Sequence, residues 1–267
     1  MLRIRCLGFG WMSLTLLLIA SPTMRADPEI YQKTLASTAW LVTVYASGGS
    51  CSGTGTLIDI PQRLLITNYH VVGEEKETTV YFPYLRDGRV ESDPEYYRQN
   101  WQKVGQKGKV LFRDRKRDLA IVQVQTLPPH AQVIHLAEKS ARPGENVHAI
   151  GNSGAKDGTL WRYSKGEVRQ VYFKKMTFDD GHHVAATMLE TNAPIIPGDS
   201  GGPMVNDRGE LIALTQSGDR TGIMVKYGVD ISEIRAFIRP FMQPSDKHGE
   251  PGQQPVLTNK HGERVDQ

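Results

Sequence analysis

The segment IIPGDSGGPMV, residues 195–205, holds seven glycine, proline, aspartate or serine residues among eleven, between strand-like apolar flanks. Glycine adopts backbone angles closed to other residues, so this cluster predicts a tight turn with exposed N–H groups around Ser200. A serine there is either a nucleophile beside an anion-binding pocket or an ordinary hairpin residue. Gly198-Asp199-Ser200-Gly201-Gly202 also matches G-x-S-x-G, the nucleophile elbow of α/β-hydrolases. That fold needs a helix after the serine and a histidine further on. Here Pro203 and a strand-like run follow, and the later histidines, His248 and His261, lie in a polar tail. The elbow is excluded, and any base must be sought upstream.

The ends of the 267-residue chain set its address. MLRIR is a basic start, and an apolar run from Cys6 to Ala20 follows it. As a helix that run spans about 22 Å, too short for a bilayer core. With Met24-Arg25-Ala26 after it, residues 1–26 have the form of a secretory signal peptide cleaved after Ala26, the alternative being an uncleaved N-terminal anchor, and a secreted or periplasmic protein is expected. No other segment is apolar enough to span a membrane. Losing Arg3, Arg5 and Arg25 lowers the basic residues from 32 to 29, matching the 29 acids. A neutral mature chain is not a polyanion binder, so nucleic acid is excluded as a partner. The run Arg113-Asp114-Arg115-Lys116-Arg117 reads as a solvated turn. Cys51 has no mate once Cys6 leaves, so stability must come from a core rather than a disulfide. No metal-binding spacing occurs, and neither a metal nor a cofactor is expected.

Residues 29–39 are predicted as a short helix. From Trp40 onward the chain reads as about a dozen short β-rich runs separated by Gly, Pro and Asp turns, which indicates an all-β barrel or sandwich. Two segments differ. ESDPEYYRQNWQKVGQKG (91–108) is a polar, aromatic insertion with a helical turn after Pro94; it covers a cleft, contacts a partner, or is a solvated edge. VDISEIRAFIRPFM is a helix capped by Asp230 with Glu233 three residues on, and it places Ile231, Ile234, Phe237, Ile238 and Phe241 on one face. The aromatic-free stretch 243–267 reads as a disordered tail after one domain, 27–242.

LLITNYHVV sets His70 at the end of an apolar run, and FRDRKRDLAIVQV sets Asp118 where a charged turn meets a buried-looking strand. Each alone fits an ordinary strand or turn residue. Asp114 competes with Asp118 but lies further out in the turn. In the order His…Asp…Ser the three become a constellation. With SGTGTLID (52–59), TNYHVV (67–72), RDLAIVQV (117–124), AIGN (149–152), KGEV (165–168), TNAPIIPGDSGGP (191–203) and YGVDISEI (227–234), they resemble the chymotrypsin-like serine proteases, and within them the HtrA/Deg protease domain. The resemblance covers roughly residues 40–240.

It implies two six-stranded antiparallel barrels with a C-terminal helix. It also implies a serine endopeptidase acting on polypeptides, in protein quality control or processing. His70, Asp118 and Ser200 become the triad, with backbone N–H groups of Gly198 and Ser200 as the oxyanion hole. Pro194, Ile196, Thr215, Gln216, Ser217 and Gly228 would line the substrate pocket. Pro194 stands where trypsin has its aspartate, so an apolar, small-to-medium side chain is expected in the pocket. Thr215 is a candidate to hydrogen-bond Asp118 from behind.

The departures are specific. HtrA relatives usually carry PDZ domains after this unit, and the 25 residues past Met242 leave no room for one, so PDZ gating is not expected to carry over. Asp199 stands where those relatives usually have Asn. With no Ile-Val-Gly-Gly-like start to release, it needs another partner or points to solvent. The loops 151–158 and 217–222 also depart from the family. The competing readings are a catalytically silent trypsin-fold binding protein and a self-processing protease with one target.

Overall fold

A computed structural model of the chain describes residues 27–153, 158–178, 181–216 and 225–242. The expected leader at 1–26, the tail at 243–267 and Ser217 lie outside the described residues. The first helix, α1 (Asp27–Leu35), starts two residues earlier than expected and stops four earlier. It ends there because the Thr34 carbonyl accepts the Ser37 N–H and the Thr38 hydroxyl, and Thr38 already pairs with Thr56 in a sheet.

The next elements are β1 (Thr38–Val44), β2 (Ser50–Asp59), β3 (Leu64–Thr67), a one-turn α2 (Tyr69–Val72) and β4 (Glu77–Tyr81). The insertion follows: β5 (Leu85–Arg86), β6 (Arg89–Val90), α3 (Pro94–Gln99) and α4 (Trp101–Val104). Then come β7 (Gly105–Asp114) and β8 (Leu119–Val124). Strands β1-β2-β3-β8-β7-β4 close into a barrel. The second half comprises β9 (His135–Leu136), β10 (Asn146–Gly151), β11 (Arg162–Thr177), β12 (His183–Thr191), β13 (Pro203–Val205), β14 (Glu210–Gln216), β15 (Lys226–Asp230) and α5 (Ile231–Ile238). Its sheet runs β13-β10-β11-β12-β15-β14, and β13 pairs back onto β14, which closes a second ring of six. Strand β9 adds outside β14.

Strands β3 and β8 read as nearly unbroken apolar runs because both of their faces are covered. Successive side chains point to opposite faces. Leu65, Ala120 and Val122 fill the first barrel, whereas Leu64, Ile66, Leu119 and Ile121 join a cluster with the second barrel's core. The seam between the barrels is therefore apolar, and side chains at the ends of these two strands are held in fixed positions above it.

The insertion is not a solvated excursion. Tyr97 is fully buried and packs edge-on against Trp40, Tyr81 and Trp161. Its hydroxyl donates to the Glu91 carbonyl and accepts the Tyr84 N–H, both at 2.9 Å. Helix α5 keeps its expected cap, with Asp230 accepting the Ser232 N–H at 2.9 Å. Ile231, Ile234, Phe237 and Ile238 are buried as expected. Glu233 does not complete a capping box. Its carboxylate instead accepts Thr187 N–H at 2.9 Å and Arg117 Nε at 2.7 Å.

Candidate active site

His70 sits on α2, directly after β3. Its neighbours Val71 and Val72 are buried in the first barrel and anchor this turn. Gly73, at φ +53°, ends it and donates its N–H to the Tyr69 carbonyl at 2.7 Å. Asp118 opens β8 in a left-handed conformation, φ +57°, which aspartate tolerates better than most residues. That bend turns its carboxylate back toward α2. His70 Nδ1 and Asp118 Oδ2 lie 2.7 Å apart, and the His70 backbone N–H donates to Oδ1 at 2.9 Å. Asn68 Nδ2 donates to the Asp118 carbonyl at 2.9 Å. Asp114 is engaged elsewhere, on Arg117 N–H and Nη1.

A further donor comes from the second barrel. Gln216 Nε2 reaches Asp118 Oδ2 at 2.8 Å. The expectation that Thr215 backs Asp118 is thus off by one residue. Adjacent strand residues face opposite ways, so only one of the two can point there. Thr215 Oγ1 is buried and finds no hydrogen-bond partner among the described residues. Its backbone is used instead: the Thr215 carbonyl accepts Gly201 N–H, and its N–H donates to the Gly202 carbonyl, both at 2.8 Å. Two consecutive residues of β14 therefore hold the Ser200 loop and the Asp118 carboxylate. A second tie runs through β2, where Thr54 N–H donates to the Ser200 carbonyl at 2.7 Å and the Thr67 hydroxyl donates to the Thr54 carbonyl at 2.7 Å.

The loop around Ser200 is as tight as its composition implies. Gly198 and Gly201 have φ of +101° and +83°. A Cβ on Gly201 would lie 2.0 Å from the Thr54 carbonyl oxygen, so no larger residue fits there. Asp199 finds its partners in backbone amides: Oδ1 accepts Ser153 N–H at 3.1 Å and Oδ2 accepts Ile196 N–H at 3.0 Å. Burial pushes the Asp199 carboxyl up, against the lowering effect of those two N–H groups. Cys51 is a half-buried free thiol, also pushed up by burial.

Of the expected pocket residues, Pro194 and Ile196 are exposed beside the loop. Thr215 and Gln216 are fully buried and offer no surface to a substrate. Gly228 is buried too, and a Cβ there would meet Met204 Sδ at 2.7 Å and Ala213 Cβ at 2.9 Å, inside the barrel. Thr215 and Gln216 thus hold the Ser200 loop and Asp118, while Gly228 packs inside the second barrel. The support role of Gln216 was legible only as one of two phases of the strand LTQ.

Comparison with known proteins agrees with this architecture. A family profile described as a trypsin-like peptidase domain matches residues 53–214. The periplasmic serine endoprotease DegP of Salmonella typhimurium is 29% identical over 163 residues, 61% of this chain and 29% of DegP. The putative serine protease HhoA of Synechocystis is 28% identical over 187 residues, 69% of this chain and 41% of HhoA. The chain thus spans less than half the length of these relatives. The crystal structure of the Rv3671c protease of M. tuberculosis in its active form superposes with a TM-score of 0.64 at 19% identity, covering 88% of this chain and 97% of that one. That likeness supports the two-barrel fold. With the profile spanning more than half of its length, this chain belongs to the trypsin-like peptidase family.

Proposed function

We propose that the chain is an exported serine endopeptidase that cleaves polypeptides through an acyl-enzyme, with Ser200 as nucleophile, His70 as base and Asp118 as its orienting carboxylate. One observation carries the reading. A fully buried aspartate holds Nδ1 of a partly exposed histidine at 2.7 Å, and the strand that supports this aspartate also supports the Ser200 loop.

A serine hydroxyl is a poor nucleophile at neutral pH. With Nδ1–H donated to Asp118, the His70 tautomer leaves Nε2 as the proton acceptor. Ser200 Oγ attacks the peptide carbonyl while Nε2 takes its proton, and Nε2 later gives that proton to the leaving amine. Asp118 stabilises the transient imidazolium. Backbone N–H groups of Gly198 and Ser200 receive the oxyanion, a contribution of about 10²–10³ in rate per donor. Pro194 and Ile196 are the expected substrate contacts. The likeness to DegP and HhoA supports quality-control or processing substrates, and the periplasmic name of DegP supports export.

A fluorophosphonate probe tests the reading. Labelling of the folded protein that disappears in S200A is the expected result. Folded wild-type protein that takes no label is a binding protein on a peptidase scaffold, and the proposal falls.

A further inference from the structure

Thr54 is fully buried in β2 of the first barrel, whereas the Gly198–Ser200 loop belongs to the second. A buried hydroxyl is costly unless it is paired. Thr54 Oγ1 faces two donors, Asn152 N–H at 3.1 Å and Asn152 Nδ2 at 3.2 Å. A hydroxyl has one proton and two lone pairs. With both lone pairs facing donors, its proton goes to the Gly198 carbonyl, 2.9 Å away. The Thr54 N–H meanwhile holds the Ser200 carbonyl at 2.7 Å. One residue grips the carbonyls of both residues whose N–H groups would receive the substrate oxygen.

Asn152 is itself oriented. Its Oδ1 accepts the Trp161 N–H at 3.2 Å, which turns Nδ2 toward Thr54. Trp161 in turn donates its Nε1–H to the Glu91 carbonyl at 2.9 Å and lies 3.3 Å from the Tyr97 hydroxyl. The insertion therefore stands at the outer end of a hydrogen-bond series that ends on Gly198.

We propose that Thr54 is a positioning residue for the oxyanion-binding loop, its hydroxyl aimed by Asn152 and the insertion behind it. This inference rests on the peptidase reading above. Gly198 sits at φ +101°, where glycine meets little resistance to rotation. Anchoring its carbonyl stops the 198–199 peptide from turning. With the Ser200 carbonyl also held, the backbone between the two donors, and so the direction of the Gly198 and Ser200 N–H groups, is fixed at both ends. The gain falls on the transition state, because charge reaches the hole only as the carbonyl is attacked.

Two variants separate this from a packing role. T54V keeps the branched shape suited to a strand and removes the hydroxyl; T54S keeps the hydroxyl and removes the methyl. For T54V, kcat on a cleavable peptide falls about tenfold or more with KM within about twofold, and affinity for a peptide boronate falls by a similar factor. T54S stays within about threefold of wild type. A wild-type kcat in T54V, a rise confined to KM, or a T54S as impaired as T54V overturns the proposal. Should T54V not fold, a crystal structure of the wild-type boronate complex decides. The Thr54 hydroxyl on Gly198 O, with the boronate oxygen on the Gly198 and Ser200 amides, supports the proposal; a hydroxyl turned elsewhere overturns it. Ser200-dependent fluorophosphonate labelling of the wild type reports separately whether the peptidase reading stands.

Discussion

Among the described residues, two histidine–aspartate pairs have almost the same length and opposite surroundings. His70 Nδ1 lies 2.7 Å from Asp118 Oδ2, and His148 Nε2 lies 2.8 Å from Asp207 Oδ1. In the first pair the carboxylate is 0% exposed and the imidazole 20%. In the second the imidazole is 1% exposed and the carboxylate 31%. His148 also spends its other nitrogen, Nδ1, on the Tyr163 hydroxyl at 2.7 Å. An imidazole with both nitrogens committed and no surface has no way to take a proton from a substrate. It ties β10 to the turn after β13 and to β11. Separation alone therefore does not distinguish the two pairs; what does is which partner meets solvent, and the base proposed above is the exposed imidazole.

The comparison predicts a graded series. The largest contrast is between H70A and H148A. H70A lowers kcat/KM by about 10⁴–10⁶ with little change in stability. H148A keeps the activity of its folded fraction within about threefold and loses about 2–3 kcal/mol in urea unfolding, since it empties the space of a fully buried imidazole and removes its hydrogen bonds to Tyr163 and Asp207. A folded but inactive H148A would break the distinction. D118N comes next, with kcat down about 10⁴ through the wrong histidine tautomer. Measured beside it, D207N is expected to keep wild-type kcat. Q216L follows, lowering kcat about tenfold, because it removes a donor to the buried Asp118 carboxylate. An unchanged kcat in Q216L would mean that the Asp118 carboxylate needs only α2.

The smallest effect is on acid stability. Burial pushes the Asp207 carboxyl up, but hydrogen bonds from His148 and Asn146 outweigh it and hold the group below the usual carboxylate range. A carboxyl lowered on folding contributes stability above its unfolded value, near pH 4, and that contribution is lost as pH falls through the folded value. D207N removes this component, so its stability declines less steeply than that of wild type as pH drops below about 4. Equal slopes for the two proteins in chemical denaturation at pH 5, 4 and 3 would remove Asp207 from the acid response.

Much of the fold was legible because its signals are local. Short β-rich runs with turn residues between them indicate an all-β chain, and apolar spacing after Asp230 indicates the C-terminal helix. The motifs around His70, Asp118 and Ser200 single them out as the proposed triad, and the structure pairs the first two. What failed depended on distant partners. The early helix stops at Leu35 because Thr38 is claimed by β2. Glu233 leaves its own helix for Arg117 and Thr187. The backing of Asp118 falls to Gln216 rather than Thr215 because the phase of β14 is set by its pairing with β13 and β15.

By itself, the sequence determined which residue types were available for chemistry and where the chain must turn, since glycine at 198 and 201 and short apolar runs act within a few residues of themselves. Only the tertiary structure decided which carboxylate serves which histidine, what anchors Asp199, and that an aromatic insertion packs against both barrels. Hydrogen-bond partners of buried polar groups come from segments 98 and 144 residues apart in the chain (Asp118 with Gln216, Thr54 with Gly198). Burial requires that such groups be satisfied, but it does not specify by whom until the barrels close.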